Sequence, residues 1–167
     1  PGPELFIETL DRHIAENSQD SKEILAVFML EAAASHRLLG YPGYPTMDQY
    51  MTEVVARVMP ALRPRDFIAR LGRQDLGIIL PGLRSEGQAM LAANKLIGTL
   101  QTPILLETTE VMPQLAIGIA MFPDHGRDSV AHFALALLEG PPPPYLPPPA
   151  STLTPPPDDV VRWHHAP

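Results

Sequence analysis

The sequence predicts an α/β fold in which helices pack on a mixed β-sheet. A continuous apolar run at residues 24–30 is typical of a strand that is buried on both faces. Two short apolar segments, residues 67–71 and 76–80, flank a polar turn and predict a β-hairpin. Helical periodicity between the strands implies crossover connections, and the hairpin adds antiparallel pairing, so we expect strand neighbours of both kinds.

The remaining elements follow from periodicity and capping signals. Apolar residues at helical spacing predict a helix over residues 4–16, and we expect a helical turn or short helix over residues 32–39, after Glu31 closes the first strand. Thr46 or Asp48 caps the next helix, which runs to about Arg57. The later part of the chain is predicted to hold a helix from residue 85, strands at 104–106 and 111–121, and a helix at about 129–138.

Composition separates a folded domain from a tail. Residues 141–167 hold eleven of the 21 prolines, and we expect this segment to be extended or disordered. The domain boundaries are therefore placed at 1–140 and 141–167. The tail contains Pro142-Pro143-Pro144-Tyr145, which resembles a ligand of proline-recognition modules, although a flexible linker is the simpler interpretation.

Charge and composition exclude several classes of protein. A net charge of −7 with only 12 Lys and Arg argues against a general nucleic-acid binder, because phosphate neutralisation needs clustered cations. The chain has no cysteine, which excludes thiol chemistry and disulfides. No apolar run is long enough to span a bilayer, so we expect a cytoplasmic module without membrane insertion.

Several landmarks, in order, resemble the GGDEF family of diguanylate cyclase domains. They include the opening helix with Leu5, Phe6 and Leu10, the strand that ends at Glu31, the segment from residue 62 to 72, and the run from residue 116 to 126. The resemblance covers about residues 1–138. It implies a mixed sheet of about five strands with helices on both faces, and an activity that condenses two GTP molecules into cyclic di-GMP.

The catalytic positions that the resemblance assigns are altered. Family members hold two metal ions between an aspartate at the end of the first strand and acidic residues of the signature Gly-Gly-Asp-Glu-Phe. Here the first position is Glu31 and the signature is Gly72-Arg73-Gln74-Asp75-Leu76. Arg73 fills the room that the second glycine leaves for the nucleotide, and neutral Gln74 is a poorer Mg²⁺ ligand than a carboxylate. These five residues, Glu31 and 72–75, are expected to form a vestigial active site with no bound metal.

The substrate contacts implied by the resemblance are also missing. The Asn-Asp pair that reads the guanine edge corresponds to Leu39 and Gly40, neither of which has a side chain able to do so. The lysine expected near the end of the last helix has no counterpart in Leu138-Glu139-Gly140. We therefore expect a catalytically inactive domain. Two alternatives are kept: a residual Mg²⁺ site at Glu31 and Asp75 that binds GTP without turnover, and an ion pair of Arg73 with both acids in place of the metal.

One functional pattern of the family is retained. Product-inhibited members bind cyclic di-GMP at an Arg-x-x-Asp pattern five residues before the signature, and Arg63-Pro64-Arg65-Asp66 matches it in register. A guanidinium suits a phosphate or the guanine Hoogsteen edge, and a carboxylate accepts from guanine N–H groups. The second arginine of that site falls near Asn94-Lys95, unless Arg84 or another chain supplies the cation. A solvated surface pair is the simpler alternative for Arg63 and Asp66.

We therefore predict a cyclic di-GMP receptor that needs no cofactor and signals to a protein partner or a neighbouring domain. Ligand binding is a plausible route to a homodimer. The alternative is a protein–protein interaction or dimerisation scaffold that needs no nucleotide.

Overall fold

The computed structural model describes residues 2–16 and 22–122 of the chain. Helix α1 (Pro3–Glu16) precedes strand β1 (Ile24–Ala34), helix α2 (Met47–Val58) and a 3₁₀ turn (Met59–Ala61). A hairpin of β2 (Phe67–Arg70) and β3 (Asp75–Leu83) leads to helix α3 (Glu86–Thr99). The short strands β4 (Ile104–Leu106) and β5 (Thr109–Val111) precede the long strand β6 (Pro113–Phe122). The expected last helix and the proline-rich tail lie outside the described residues.

The main sheet has the strand order β2-β3-β1-β6, and β4 and β5 form a separate two-stranded sheet. Every neighbouring pair in the main sheet is antiparallel. The helical crossovers do join parallel strands, β1 to β2 and β3 to β6, but one strand lies between the members of each pair. The expected parallel neighbours are therefore absent from the described sheet, which has four strands, while the predicted fold class is confirmed.

Helices cover both faces of the sheet, and the side chains of β1 point alternately into the two hydrophobic cores that result. On one face, α1 inserts Phe6, Leu10 and Ile14 against Leu25 and Val27. On the other face, α2 and α3 pack on the alternate residues of β1, among them Phe28 and Leu30. A strand whose two faces are both covered has a continuous apolar sequence. The same alternation places the side chains of Glu31 on β1 and Asp75 on β3 on the face that carries α1.

Two boundaries differ from the sequence prediction. Strand β1 does not end at Glu31 but continues to Ala34, because residues 31–34 pair with the start of β6, and no helix forms over residues 32–39. The strand expected over 111–121 is divided: Val111 ends β5 and Pro113 begins β6. Both helix starts are as predicted, since Thr46 and Ser85 accept hydrogen bonds from the backbone N–H three residues ahead.

Tyr50 ties α2 to the end of β1, and its loss is expected to cost stability. Its buried hydroxyl donates to the carbonyl oxygen of Ala32 at 3.0 Å, so Tyr50→Phe should lower the free energy of unfolding by about 1 kcal/mol. Burial raises the pKa of Tyr50 to about 12 from 10.0, so this contribution is complete below pH 10 and is lost as the pH rises towards 12. Urea unfolding at pH 7 measures the difference. Exposed Tyr41→Phe is the control, and equal effects of the two variants would contradict the assignment.

Candidate functional site

The altered signature forms the turn of the β2–β3 hairpin. The turn is closed by the N–H of Leu71, which donates to the carbonyl oxygen of Asp75 at 2.9 Å. The N–H of Ala32 donates to the carbonyl oxygen of Gln74 at 2.9 Å, which attaches the turn to β1. The hairpin predicted from the sequence is therefore present, and its turn lies at the carboxyl end of β1.

Arg70 orders the turn, a role that the sequence did not reveal. Its guanidinium donates to the carbonyl oxygens of Gly72 at 3.2 Å and Arg73 at 3.0 Å. The same group pairs with Asp48 Oδ1, in the first turn of α2, at 2.8 Å. Asp48 and Arg70 are 22 residues apart, so no local spacing could have indicated this contact. Arg70 thus joins the turn to the amino end of α2.

Glu31 and Asp75 are brought together as cross-strand partners on β1 and β3. Burial, and to a lesser degree the Glu31 charge, raises the pKa of the Asp75 carboxyl above its usual value. Asp75 Oδ1 is buried without a hydrogen-bond partner among the described residues. Asp75 Oδ2 lies over Gly72, at 2.6 Å from where a Cβ would stand, so a side chain at residue 72 would displace this carboxylate. The two acids therefore oppose each other, and no cationic group of the described residues lies within 4.0 Å of either carboxylate.

Arg73 does not neutralise this pair. The residue is exposed, and within residues 2–16 and 22–122 no carboxylate lies within 4.0 Å of its guanidinium. The expected ion pair of Arg73 with Glu31 and Asp75 is therefore not formed. The physical reason is strand geometry: Arg73 is in the turn of the hairpin, whereas Glu31 and Asp75 are paired within strands β1 and β3.

The residues of the turn do not fit a two-metal site. The Gln74 side chain is directed to α2, where its Nε2 lies 3.7 Å from Met47 Sδ. Only two carboxylates, Glu31 and Asp75, remain, and one oxygen of Asp75 is turned over Gly72. In the described part of the chain, no group of three or more His, Cys, Asp or Glu side chains could hold a metal ion. A divalent cation prefers more oxygen ligands than this arrangement supplies.

Relief of the carboxylate pair gives a testable result. Glu31→Gln should raise the free energy of unfolding at pH 7 by about 0.5 kcal/mol, because like charges directly opposite in a sheet destabilise it. Because the pKa of Asp75 is raised in the folded state, the protonated carboxyl stabilises the fold. This stabilisation is complete when the pH is below the usual Asp pKa of 3.8, and it is lost as the pH rises through the folded-state pKa. The gain from Glu31→Gln should therefore vanish in acid. Urea unfolding at pH 7 and pH 3 measures it, with exposed Glu53→Gln as control; destabilisation by Glu31→Gln at pH 7 would contradict the repulsion.

The positions assigned to guanine recognition are structural. Leu39 is 7% exposed and belongs to the core beneath α2 and α3. Gly40 has φ +93° and donates from its N–H to the carbonyl oxygen of Pro45 at 2.7 Å. This segment is a loop of consecutive turns, and neither residue offers a hydrogen-bonding side chain to a base.

Arg63 and Asp66 form a tight pair on the segment before β2. Asp66 accepts from the Arg63 backbone N–H at 2.7 Å, from Nε at 3.1 and 3.2 Å, and from Nη2 at 2.7 Å. Arg63 Nη2 also donates to the carbonyl oxygen of Pro81 on β3 at 2.6 Å. The Asp66 side chain is 1% exposed and that of Arg63 is 39% exposed. The solvated surface pair is therefore not what forms: a buried carboxylate fixes a half-exposed guanidinium.

A groove opens beside this pair, and the sequence-predicted residues meet there. Its volume is about 320 Å³, and it lies between the Arg63 segment, β3 and α3. Lys95 lines it together with Arg63 and Asp66, as the register with the family implied, whereas Arg84 is not among its lining residues. Other lining residues are Leu83, Gln88 and Leu91. The Gln88 side chain is held because its Oε1 accepts from the Arg84 N–H at 2.7 Å.

None of the described helices is long and apolar enough to cross a membrane.

Known proteins share both sequence and fold with this chain. Diguanylate cyclase TpbB of Pseudomonas aeruginosa is 29% identical over 126 residues, which are 75% of this chain and 29% of TpbB. The bifunctional diguanylate cyclase/cyclic di-GMP phosphodiesterase MucR of the same species is 27% identical over 127 residues, 76% of this chain and 18% of MucR. The chain thus spans less than a third of the length of these relatives.

The solved structures agree. The crystal structure of the GGDEF domain of TpbB superposes with a TM-score of 0.70 at 28% identity and covers 83% of each chain. The family described as "Diguanylate cyclase, GGDEF domain" matches residues 3–136. Together with the antiparallel hairpin that carries the signature turn, these similarities show that the chain belongs to the GGDEF family of diguanylate cyclase domains.

Proposed function

We propose that this domain is a catalytically inactive GGDEF domain that binds cyclic di-GMP in the groove between Arg63 and Lys95 and acts as a regulatory module. The observation that carries the proposal is that Arg63, Asp66 and Lys95 line one groove. Lys95 is far from the other two in sequence, and the fold brings it beside them. The signature turn, in contrast, lacks the donor set for a metal-bound triphosphate.

The groove has the chemistry of a guanine nucleotide site. Cyclic di-GMP carries two phosphodiester anions and two guanine bases. Arg63 Nε and Nη2 donate to Asp66 and Pro81, whereas Nη1 donates to none of the described residues and is available to a ligand. Lys95 supplies a second cation, and Leu83 and Leu91 supply apolar surface for a base. A volume of about 320 Å³ lies at the lower end for ligand sites, so the groove suits one guanine and its phosphate rather than the whole ligand.

Asp66 has a positioning role in this proposal. The sequence pattern led us to expect its carboxylate to accept from guanine N–H groups. Its oxygens instead accept from Arg63, and its side chain is almost fully buried. Because a bidentate carboxylate fixes both the place and the plane of a guanidinium, Asp66 pre-organises Arg63 for the ligand.

Lack of turnover follows from the site at the other end of the hairpin. Arg73 adds a bulky cation at the turn, Gln74 contacts Met47 instead of offering a carboxylate, and Leu39 and Gly40 cannot read a base. The residual alternative, GTP held at Glu31 and Asp75 through Mg²⁺, conflicts with an Asp75 oxygen that lies over Gly72. Signal output then belongs to a protein partner or to a neighbouring domain.

A paired assay tests the proposal. Calorimetric titration of the full chain with cyclic di-GMP should give a binding heat, and titration with GTP and Mg²⁺ should give none. Chromatography of the GTP sample should show no cyclic di-GMP. Absence of heat with cyclic di-GMP would refute the receptor role and favour a nucleotide-independent scaffold, whereas product formation from GTP would refute inactivity.

A further inference from the structure

The loop between β1 and α2, residues 36–45, presents an exposed aromatic surface that the proposed function does not use. Tyr41 is 59% exposed, Tyr44 41% and Leu38 42%. The rings of His36 and Tyr44 are in contact, with centroids 5.6 Å apart. We call this surface the aromatic loop. Clustered exposed tyrosines of this kind are typical of binding surfaces, because each ring combines apolar area with a polar tip.

The aromatic loop is pre-organised by its own hydrogen bonds. The N–H of Tyr41 donates to the carbonyl oxygen of Leu38 at 2.9 Å, and the N–H of Tyr44 donates to that of Tyr41 at 3.0 Å. The Leu38 N–H donates to His36 Nδ1 at 3.2 Å. Leu39 anchors the loop in the core. A loop whose backbone is already held in place loses little entropy when it binds a ligand.

We propose that the aromatic loop is the docking site of the proline-rich segment of the same chain, residues 141–149. This segment, Pro-Pro-Pro-Pro-Tyr-Leu-Pro-Pro-Pro, has seven prolines in nine residues. Proline fixes φ near −65° and favours the polyproline II helix, which aromatic-lined surfaces recognise because its ordering entropy is already low. The aromatic loop and this segment are thus complementary parts of one chain. The proposal does not depend on cyclic di-GMP.

The length of chain between the two parts permits intramolecular docking. Strand β6 ends at Phe122 opposite Leu25, whereas the aromatic loop follows Ala34, which lies opposite Pro113. The two ends of β6 are about 30 Å apart at 3.3 Å per residue. Residues 123–140 span up to about 60 Å when extended. The connection is therefore long enough for the segment to reach the aromatic loop even if part of it is not extended.

Docking there would place the tail near the altered signature. The aromatic loop follows the carboxyl end of β1, and the turn at Gly72 to Gln74 is attached to the same end through Ala32. The groove of Arg63 and Lys95 lies against β3 and α3 and shares no lining residue with the aromatic loop. Occupation of the aromatic loop therefore leaves the proposed ligand groove open.

Paramagnetic relaxation tests the docking in the full chain. The chain has no cysteine, so Ser151→Cys gives one attachment point for a nitroxide label beside the segment. In the ¹⁵N-labelled chain, the amide peaks of the non-proline residues in 36–45 should lose intensity relative to the same sample with the label reduced. The loss should disappear when Tyr41→Ser and Tyr44→Ser are combined. It should persist in the matched control Leu105→Ser, which removes an equally exposed apolar side chain elsewhere.

The outcomes distinguish docking of the segment of the same chain from docking of the segment of a second copy. A loss confined to the aromatic loop and abolished by the tyrosine variant supports the proposal. Unaltered intensities there, or a loss spread evenly over the surface, would overturn it. A mixture of ¹⁵N-labelled unmodified chain with nitroxide-labelled chain at natural isotope abundance should show no loss at the loop; a loss in this mixture would mean that a second copy supplies the segment and would also overturn intramolecular docking.

Discussion

Arg63→Ala is expected to lower the free energy of unfolding by about 3 kcal/mol, the largest effect predicted for one side chain near the surface. The substitution removes the bonds from Nε and Nη2 to Asp66 and the bond to the Pro81 carbonyl oxygen. The Asp66 carboxylate is 1% exposed and would keep only the backbone N–H of residue 63. A buried charge that loses its partner destabilises far more than an exposed pair. Urea denaturation followed by circular dichroism measures the loss.

Two further variants show whether the effect arises from the buried charge. Arg37→Ala removes an exposed arginine and should change stability by less than about 0.5 kcal/mol. Asp66→Asn in the Arg63→Ala background should recover part of the loss, because the isolated carboxylate is then neutral. An Arg63→Ala variant as stable as Arg37→Ala would contradict the geometry of the pair.

Lys95→Glu is expected to weaken cyclic di-GMP binding by about 30-fold, equivalent to about 2 kcal/mol, without loss of fold. Lys95 is exposed on α3 and makes no ion pair within 4.0 Å with the described residues, so its reversal breaks no ion pair there. It places a carboxylate in the groove beside Arg63 and the ligand phosphate. Calorimetric titration of the variant measures the change.

The matched control is Arg73→Glu, which reverses an exposed cation at the signature turn. It should leave cyclic di-GMP affinity within about twofold of the unmodified chain, because charges separated by more than a Debye length are screened. Equal weakening by both variants would mean that net charge, rather than the groove, governs binding.

The sequence predicted the elements whose signals are local. The apolar run and the hairpin turn correctly located β1, β2 and β3, although β1 extends beyond its predicted end, and Thr46 and Ser85 gave correct helix starts. The resemblance placed the second cationic position of the Arg63 site near Asn94 and Lys95, and Lys95 lines the same groove as Arg63. The error at residues 32–39 has a tertiary cause: alanines with good helix propensity are held as strand by their ladder with β6.

Other features depended on contacts between distant segments. Arg70 and Asp48 are joined only by the packing of α2 beside the hairpin. The ion pair expected for Arg73 does not form: Arg73 lies in the exposed turn, outside the strand ladder that holds Glu31 and Asp75. The burial of Asp66 could not be read from a four-residue pattern, since Pro81 of β3 helps to enclose the guanidinium that covers it.

The location of bound ligand tests the central claim most directly. We expect cyclic di-GMP, added to the ¹⁵N-labelled full chain, to shift the amide resonances of Arg63, Asp66 and the α3 residues around Lys95, while those of Glu31 and residues 72–75 stay in place. Shifts confined to Glu31 and the signature turn, or no shifts at a saturating ligand concentration, would contradict the account.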